Sequence, residues 1–141
     1  MDIKRDKYLN DLINRMHNGM IKVVTGIRRC GKSYLLFNIF KNYLLEQGVP
    51  ASHIIMIELD QRKNKKYRDP DVILDYIESL IEEDGQYYIM LDEVQMLQEF
   101  EEVLNSLLHI RNADVYVTGS NSKFLSKDVI TEFRGRGDEI H

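Results

Sequence analysis

The stretch VVTGIRRCGKSYLL, from Val23 to Leu36, decides the fold. It contains the pattern G-x-x-x-x-G-K-[ST] between Gly26 and Ser33. The apolar, β-branched run from Met20 to Thr25 predicts a buried strand before the pattern, and residues 32–46 carry apolar side chains at helical spacing behind it. A glycine-containing turn between a strand and a helix is the context in which this pattern forms a phosphate-binding loop.

Each letter of the pattern has a chemical reason. Backbone N–H groups must converge around a β-phosphate, and Gly26 and Gly31 permit the necessary curvature. The helix that follows adds unpaired N–H groups and the positive end of its dipole. Lys32 reaches the β- and γ-phosphates, and the Ser33 hydroxyl binds Mg²⁺. We therefore expect the nucleotide to contact residues 26–34, namely Gly26, Ile27, Arg28, Arg29, Cys30, Gly31, Lys32, Ser33 and Tyr34.

The stretch YYIMLDEVQ, from Tyr87 to Gln95, supplies acidic residues at the end of a second strand. Ligands bind at the carboxyl edge of open parallel sheets, so Asp92 is placed to hold the Mg²⁺ ion, directly or through water. Glu93 is the candidate general base that polarises an attacking water. A strand that ends in a solvated Asp-Glu turn is the alternative, and the phosphate-loop pattern upstream favours the functional interpretation.

Two further elements complete the candidate site. VYVTGSNSKF, Val115 to Phe124, ends a strand in small polar residues, and Asn121, or else Ser120, is the candidate contact to the γ-phosphate. These residue types are also common in ordinary turns and helix caps. In EFRGRGDEIH, Arg136 ahead of Arg134 is the candidate cation for transition-state charge across a subunit interface, unless both are solvated.

The remaining chain predicts an α/β fold. Helical spacing occurs at about 5–17, 32–46, from 70 onward, at 100–108 and at 122–133, and short apolar runs predict strands at 20–25, 53–58, 87–91 and 114–118. This alternation is typical of a parallel sheet with helices on both faces. The basic stretch Gln61 to Arg68 breaks the pattern and predicts a solvated loop. A nucleic-acid contact with Tyr67 as a stacking residue is the alternative.

Composition limits the classes of protein. The length of 141 residues suits one domain, and a net charge of −4 gives no overall field for nucleic acid. A single cysteine excludes an internal disulfide and fits a reducing cytoplasm, where we expect the protein to act. No apolar run reaches the roughly 18 residues of a membrane span, so no membrane partner is expected.

Together, TGIRRCGKSYLL, LDEVQ, VTGSNS and RGRGDEI resemble the motifs of a family of predicted prokaryotic AAA+-type P-loop ATPases. The resemblance implies a three-layer fold with strand order 5-1-4-3-2, and ATP and Mg²⁺ as cofactors. It implies Asp92 for the metal, Glu93 for water activation, Asn121 as sensor and Gly135-Arg136 as the matching G-R step. Members of that family continue beyond this point. We therefore expect residues 1–141 to be the ATP-binding domain alone, with an incomplete last strand and without lid or C-terminal domain.

Several functions remain open at this stage. The leading one is an Mg²⁺-dependent ATPase module of a larger protein, whose partners are its C-terminal domain and further copies of itself. A GTPase lacks support because Asn64-Lys65-Lys66 is followed by Tyr67 rather than completing N-K-x-D. Glu93 disfavours a small-molecule kinase, in which water activation wastes ATP. A nucleotide switch with little hydrolysis and the NTPase part of a DNA-associated factor are the alternatives from other classes.

The paired arginines of the loop generate a first prediction. The cradle acts through backbone N–H groups, so the side chains of Arg28 and Arg29 are expected to contact a neighbouring loop, a second subunit or a further domain rather than phosphate. Arg28→Ala and Arg29→Ala should each leave the ATP dissociation constant within about tenfold, or roughly 1.4 kcal/mol, by titration calorimetry. A much larger loss in either variant would make that arginine a direct phosphate ligand.

Overall fold

The computed structural model describes residues 3–24, 34–82, 84–119 and 137–140. Within them, five strands form one parallel sheet. The strands are β1 (Ile21–Val24), β2 (Ile54–Glu58), β3 (Tyr87–Asp92), β4 (Ala113–Thr118) and β5 (Gly137–Ile140). Their order is β2-β3-β4-β1-β5, which is the predicted 5-1-4-3-2 read from the opposite edge. The predicted fold class is confirmed.

Helices cover both faces of this sheet. They are α1 (Ile3–Asn14), a π-helical segment (Leu35–Phe40) that continues into α2 (Lys41–Glu46), α3 (Pro70–Leu80) and α4 (Phe100–Leu108). Successive side chains of a strand point to opposite faces, so β3 contributes to two cores. Tyr88 and Met90 pack with the side chains of α1, the π-helical segment and α2, among them Leu12, Leu36, Phe40 and Leu44. Ile89 and Leu91 pack with those of α3 and α4, among them Ile73, Ile77, Val103, Leu104 and Leu107.

The predicted start of α3 is confirmed at atomic detail. Asp69 is the N-cap, and its carboxylate accepts hydrogen bonds from the N–H groups of Asp71 at 2.9 Å and Val72 at 3.2 Å. Pro70 occupies the first turn, where its missing N–H leaves no hydrogen bond unmade. None of the helices among the described residues has both the length and the apolar character that a membrane span requires.

The prediction of a loop over 61–68 is wrong, while most of its side chains are exposed to solvent, as predicted. Arg62–Arg68 forms a 3₁₀ helix, called the basic helix below. Its three-residue period places Asn64 and Tyr67 in one row, facing the protein. The Asn64 amide donates to the Glu58 carbonyl at 3.0 Å, and the Tyr67 ring stacks on Tyr76 with 4.6 Å between centroids. Hydrophobic periodicity missed this element because its docking row has one amide and one aromatic ring.

A buried polar cluster joins β1 to β4 near the amino-terminal ends of these two strands. The Lys22 ammonium, which is fully buried, donates to the Asp114 carboxylate. The Tyr116 hydroxyl donates to the same carboxylate at 2.6 Å, as does the His17 backbone N–H at 2.9 Å. Burial, followed by the charge of Asp114, raises the pKa of Tyr116, so this phenol stays protonated and remains a donor.

Removal of the ammonium tests this cluster. Lys22→Ala leaves Asp114 buried without its counter-charge, and we expect the free energy of unfolding to fall by about 3–5 kcal/mol in urea denaturation. Lys7→Ala, on an exposed position of α1, is the control and should change it by no more than about 0.5 kcal/mol. Equal effects of the two substitutions would mean that the buried ion pair does not hold β1 against β4.

Candidate functional site

The candidate site lies where parallel strands end at one edge of the sheet. Asp92 is the last residue of β3, and Thr118 is the last residue of β4. Thr118 is in register with Val24, the last residue of β1. The phosphate-loop pattern begins two residues after Val24 in the sequence. This carboxyl edge is where ligands bind in open parallel sheets.

Thr118 connects the two acidic residues of the motif. Its hydroxyl donates to Asp92 Oδ1 at 2.5 Å, and its oxygen accepts the backbone N–H of Glu93 at 2.9 Å. A threonine hydroxyl has one donor and two acceptor sites, so both bonds form at once. All three residues are buried. The rotamer of Asp92 and the backbone of Glu93 are therefore fixed by a single side chain from the neighbouring strand.

Glu93 adopts a backbone conformation that is uncommon for its type. Its φ of 54° and ψ of 55° lie in the left-handed region. A residue other than glycine there costs on the order of 1–3 kcal/mol, and such residues cluster at functional sites. The hydrogen bond from Glu93 N–H to Thr118 offsets part of this cost. Gln95 Nε2 donates to Glu93 Oε1 at 2.8 Å, which holds the carboxylate in place.

Three carboxylates, one of them that of Asp92, lie close together at this edge of the sheet. Glu58, Asp60 and Asp92 each offer one oxygen, and the three oxygens lie within 4.8 Å of one another. The pairing of β2 with β3 explains the meeting, because Glu58 is in register with Asp92. Hard cations such as Mg²⁺ take carboxylate oxygens as ligands, so the donor set fits the ion that the sequence predicts. Asp92 is the buried member, and the other two are partly exposed.

A chain of hydrogen bonds links Asp92 to the basic helix. The Leu59 N–H donates to the Asp92 carbonyl at 3.1 Å, and Arg68 Nε donates to the Leu59 carbonyl at 2.9 Å. The Gln98 N–H donates in turn to the Arg68 carbonyl at 2.9 Å. The basic helix is thus fixed to the strand that carries the acidic residues, and also to the turn before α4.

Several of the predicted site residues can be located and others cannot. Asp92 and Glu93 lie together at the strand ends, as described above. Tyr34 directly precedes the π-helical segment with its side chain 44% exposed. The other predicted positions, Gly26 to Ser33, Ser120, Asn121, Arg134 and Arg136, and the helix predicted over 122–133, lie outside the described residues.

Sequence reasoning missed Thr118, Glu58, Asp60 and Gln95. Thr118 lies in the quoted stretch VYVTGSNSKF, in which the sequence indicated a group that contacts phosphate but not a side chain that is bonded to a neighbouring strand. Glu58 and Asp60 follow the run HIIMI, but the sequence alone does not show the register in which β2 pairs with β3. Gln95 belongs to the quoted LDEVQ, and its position two residues after Glu93 is the feature of the sequence that could have identified it.

Comparison with curated sequences identifies relatives of the whole chain. An uncharacterized protein of Haemophilus influenzae is 32% identical over 139 residues, covering 98% of this chain and 34% of the relative. An uncharacterized protein of Methanocaldococcus jannaschii is 28% identical over 138 residues, covering 94% of this chain and 29% of the relative. The chain therefore spans about a third of the length of the curated relatives it matches.

Solved structures share the fold at low sequence identity. A chain of Drosophila ORC bound to AT-rich DNA and Cdc6 aligns with a TM-score of 0.60 and 12% identity, over 97% of this chain and 53% of that one. C. elegans PCH-2 aligns with a TM-score of 0.60 and 14% identity, over 96% of this chain and 39% of that one.

A family model gives the assignment. The model described as AAA domain (AAA_14) matches residues 18–141, which include the phosphate-loop pattern, Asp92, Glu93 and Thr118. The match agrees with the strand order and with the resemblance that the motifs carry. The chain belongs to the AAA domain family.

Proposed function

We propose that the chain binds ATP with Mg²⁺ and hydrolyses it to ADP and phosphate, as the ATPase module of a larger protein. The observation that carries the proposal is the arrangement of Asp92 and Glu93. Both are buried at the carboxyl edge of the sheet, and Thr118 holds both by hydrogen bonds. A strand that merely ended in a solvated turn would not bury two adjacent carboxylates.

The metal part of the proposal rests on the carboxylates. Asp92 would hold Mg²⁺ together with the Ser33 hydroxyl, and Glu58 and Asp60 add negative charge around the same place. The hydrogen bond from Thr118 to Asp92 Oδ1 would fix the orientation of the carboxylate that holds the ion or its water shell. When bound, Mg²⁺ neutralises charge on the β- and γ-phosphate oxygens and orients them.

The hydrolytic step is assigned to Glu93. Its carboxylate accepts a proton from water as the water oxygen attacks the γ-phosphorus, and the bond from that phosphorus to the β–γ bridging oxygen breaks. Lys32 is proposed to stabilise the charge on the β- and γ-phosphates. Asn121 is proposed to contact the γ-phosphate, and Arg136 to approach it from a second copy of the chain.

A nucleotide switch with little or no hydrolysis is the second candidate. The hydrogen bond from Gln95 Nε2 to Glu93 Oε1 favours it, because the amide occupies one carboxylate oxygen and holds the side chain, so that a water molecule must approach the other oxygen. Tight ATP binding together with phosphate release that does not change in Glu93→Gln would support the switch over the hydrolase.

The proposal extends to the larger protein only in outline. Because the chain spans about a third of its curated relatives, a C-terminal domain of the whole protein is the proposed partner of the module, and self-association follows if Arg136 acts in trans. The ORC neighbour was solved on DNA, which makes a DNA-associated factor a further candidate setting.

Steady-state phosphate release and nucleotide titration test the ATPase. Lys32→Ala should abolish ATP binding, and micromolar affinity in that variant would contradict the cradle. Glu93→Gln should keep ATP binding and lose about 10²–10⁴-fold in turnover, the range for a general base. Glu78→Gln, on the exposed side of α3, is the matched control and should retain full turnover.

Thr118 offers a separate test of the metal site. Thr118→Val keeps the shape but removes the hydroxyl that orients Asp92, and we expect the Mg²⁺ concentration for half-maximal phosphate release to rise about tenfold or more. Thr118→Ser, which restores a hydroxyl, should return it close to the original value. If valine and serine behave alike, Thr118 acts through packing and does not position the carboxylate.

A further inference from the structure

The basic helix carries a cationic surface for which the proposed ATPase has no use. Five of the 19 lysines and arginines of the chain lie within Arg62–Arg68, on a chain whose net charge is −4. Arg62, Lys63, Lys65 and Lys66 are exposed. Gathering like charges in this way raises their mutual repulsion, and an anionic partner would relieve it.

The period of the 3₁₀ helix places Asn64 and Tyr67 in a row apart from these four cations, while Arg68, in line with Arg62 and Lys65, turns to the Leu59 carbonyl. Residues three apart share a row, so Arg62 lies in line with Lys65, and Lys63 with Lys66. The third row, Asn64 and Tyr67, faces the protein and makes the contacts described above. The cations are therefore displayed on a fixed element and not on a mobile chain, which reduces the entropy lost on binding.

The part of the chain that the structure describes does not neutralise these charges. Among the described residues, Arg62, Lys63 and Lys65 make no ion pair or hydrogen bond through their side chains. Lys66 has its ammonium 5.0 Å from the centre of the Tyr67 ring, a contact that leaves the charge in place. All four cations thus remain available to a partner.

A cleft of about 580 Å³ lies along the basic helix. Its lining residues are Lys65, Lys66, Arg68, Asp69, Met96 and Gln98. Asp69 is occupied as the N-cap of α3, so its carboxylate already accepts two backbone N–H groups. The positive side chains therefore dominate the electrostatics of the cleft, and Met96, 38% exposed, offers an apolar contact beside them.

The density of charge identifies the class of partner. A 3₁₀ helix rises about 2 Å per residue, so the four cations extend over about 8 Å, or one charge per ~2 Å. Duplex DNA carries one negative charge per ~1.7 Å of its axis when both strands are counted, whereas a single strand carries one per ~3.4 Å. An extended acidic peptide offers at most one charge per ~3.3 Å, about half the density of the duplex and the same as that of a single strand. We propose that the basic helix binds the sugar-phosphate backbone of a double-stranded nucleic acid.

Recognition of this kind does not read base sequence. The sequence suggested Tyr67 as a stacking residue, but its ring is already stacked on Tyr76 and packs against the core. Lysine and arginine contacts to phosphate carry no sequence information. Binding is thus expected to be insensitive to base sequence and strongly dependent on salt.

This surface does not require the chain to hydrolyse ATP. The test is therefore made on the 141-residue chain without nucleotide and without Mg²⁺, so that the proposed ATPase site does not contribute. Fluorescence anisotropy measures binding to a labelled DNA duplex, to single-stranded DNA and to RNA of the same sequence, across a series of salt concentrations. Polyglutamate and anionic vesicles serve as competitors with other chemistry.

The decisive variant is Arg62→Gln/Lys63→Gln/Lys65→Gln, whose three side chains make no ion pair or hydrogen bond among the described residues. Its matched control is Lys7→Gln/Lys41→Gln/Arg111→Gln, which removes the same charge from α1, α2 and the turn before β4. Loss of three phosphate contacts should lower the salt slope on duplex by about 2.7, so the unmodified chain should lose about 40-fold more affinity than the variant between roughly 50 and 200 mM salt.

The control should bind the duplex as the unmodified chain does. The proposal is overturned if the unmodified chain binds none of the nucleic acids at low salt, or if the two triple variants have the same slope. It is equally overturned if polyglutamate or vesicles bind as tightly as duplex, since the surface would then accept any polyanion. Binding to single strands in preference to the duplex would also overturn it, because a single strand has no higher charge density than the acidic peptide.

Discussion

Parallel pairing of β1, β4 and β3 brings Val24, Thr118 and Asp92 to one edge of the sheet, and the rest of the site depends on that register. A shift of one residue would turn Thr118 to the opposite face and separate its hydroxyl from Asp92. The buried ion pair of Lys22 with Asp114 joins the same two strands, β1 and β4, nearer their other ends. The candidate site at the carboxyl ends of the strands therefore depends on polar contacts that are buried near the amino-terminal ends of the same strands.

The sequence predicted the sheet and the acidic pair, but not the contacts between strands. Asp92 and Glu93 stood out because a strongly apolar run ended in two carboxylates. Thr118 and Glu58 did not, because their roles arise only once β3 lies between β2 and β4. The same limit applied to the basic helix, since Asn64 docks on a carbonyl of a strand end and not on an apolar surface.

The path from Asp92 through Leu59 to Arg68 joins two surfaces of different chemistry. Backbone and guanidinium hydrogen bonds connect the acidic edge with the cationic helix over three residues. If both proposals hold, a shift of the Asp92 backbone and a nucleic acid on the basic helix act on the same short chain of bonds. A coupling between the two ligands would be reciprocal, as any linkage between binding sites must be.

The most direct measurement is a crystal structure of the chain with Mg²⁺ and a non-hydrolysable ATP analogue. The proposal predicts that the β- and γ-phosphates lie against Gly26 to Ser33, and that Mg²⁺ is bound by the Ser33 hydroxyl with Asp92 as a ligand or one water away. The water nearest the γ-phosphate should contact Glu93. Phosphates bound instead along Arg62–Arg68, with the acidic residues facing no metal, would contradict the assignment of the ATPase site.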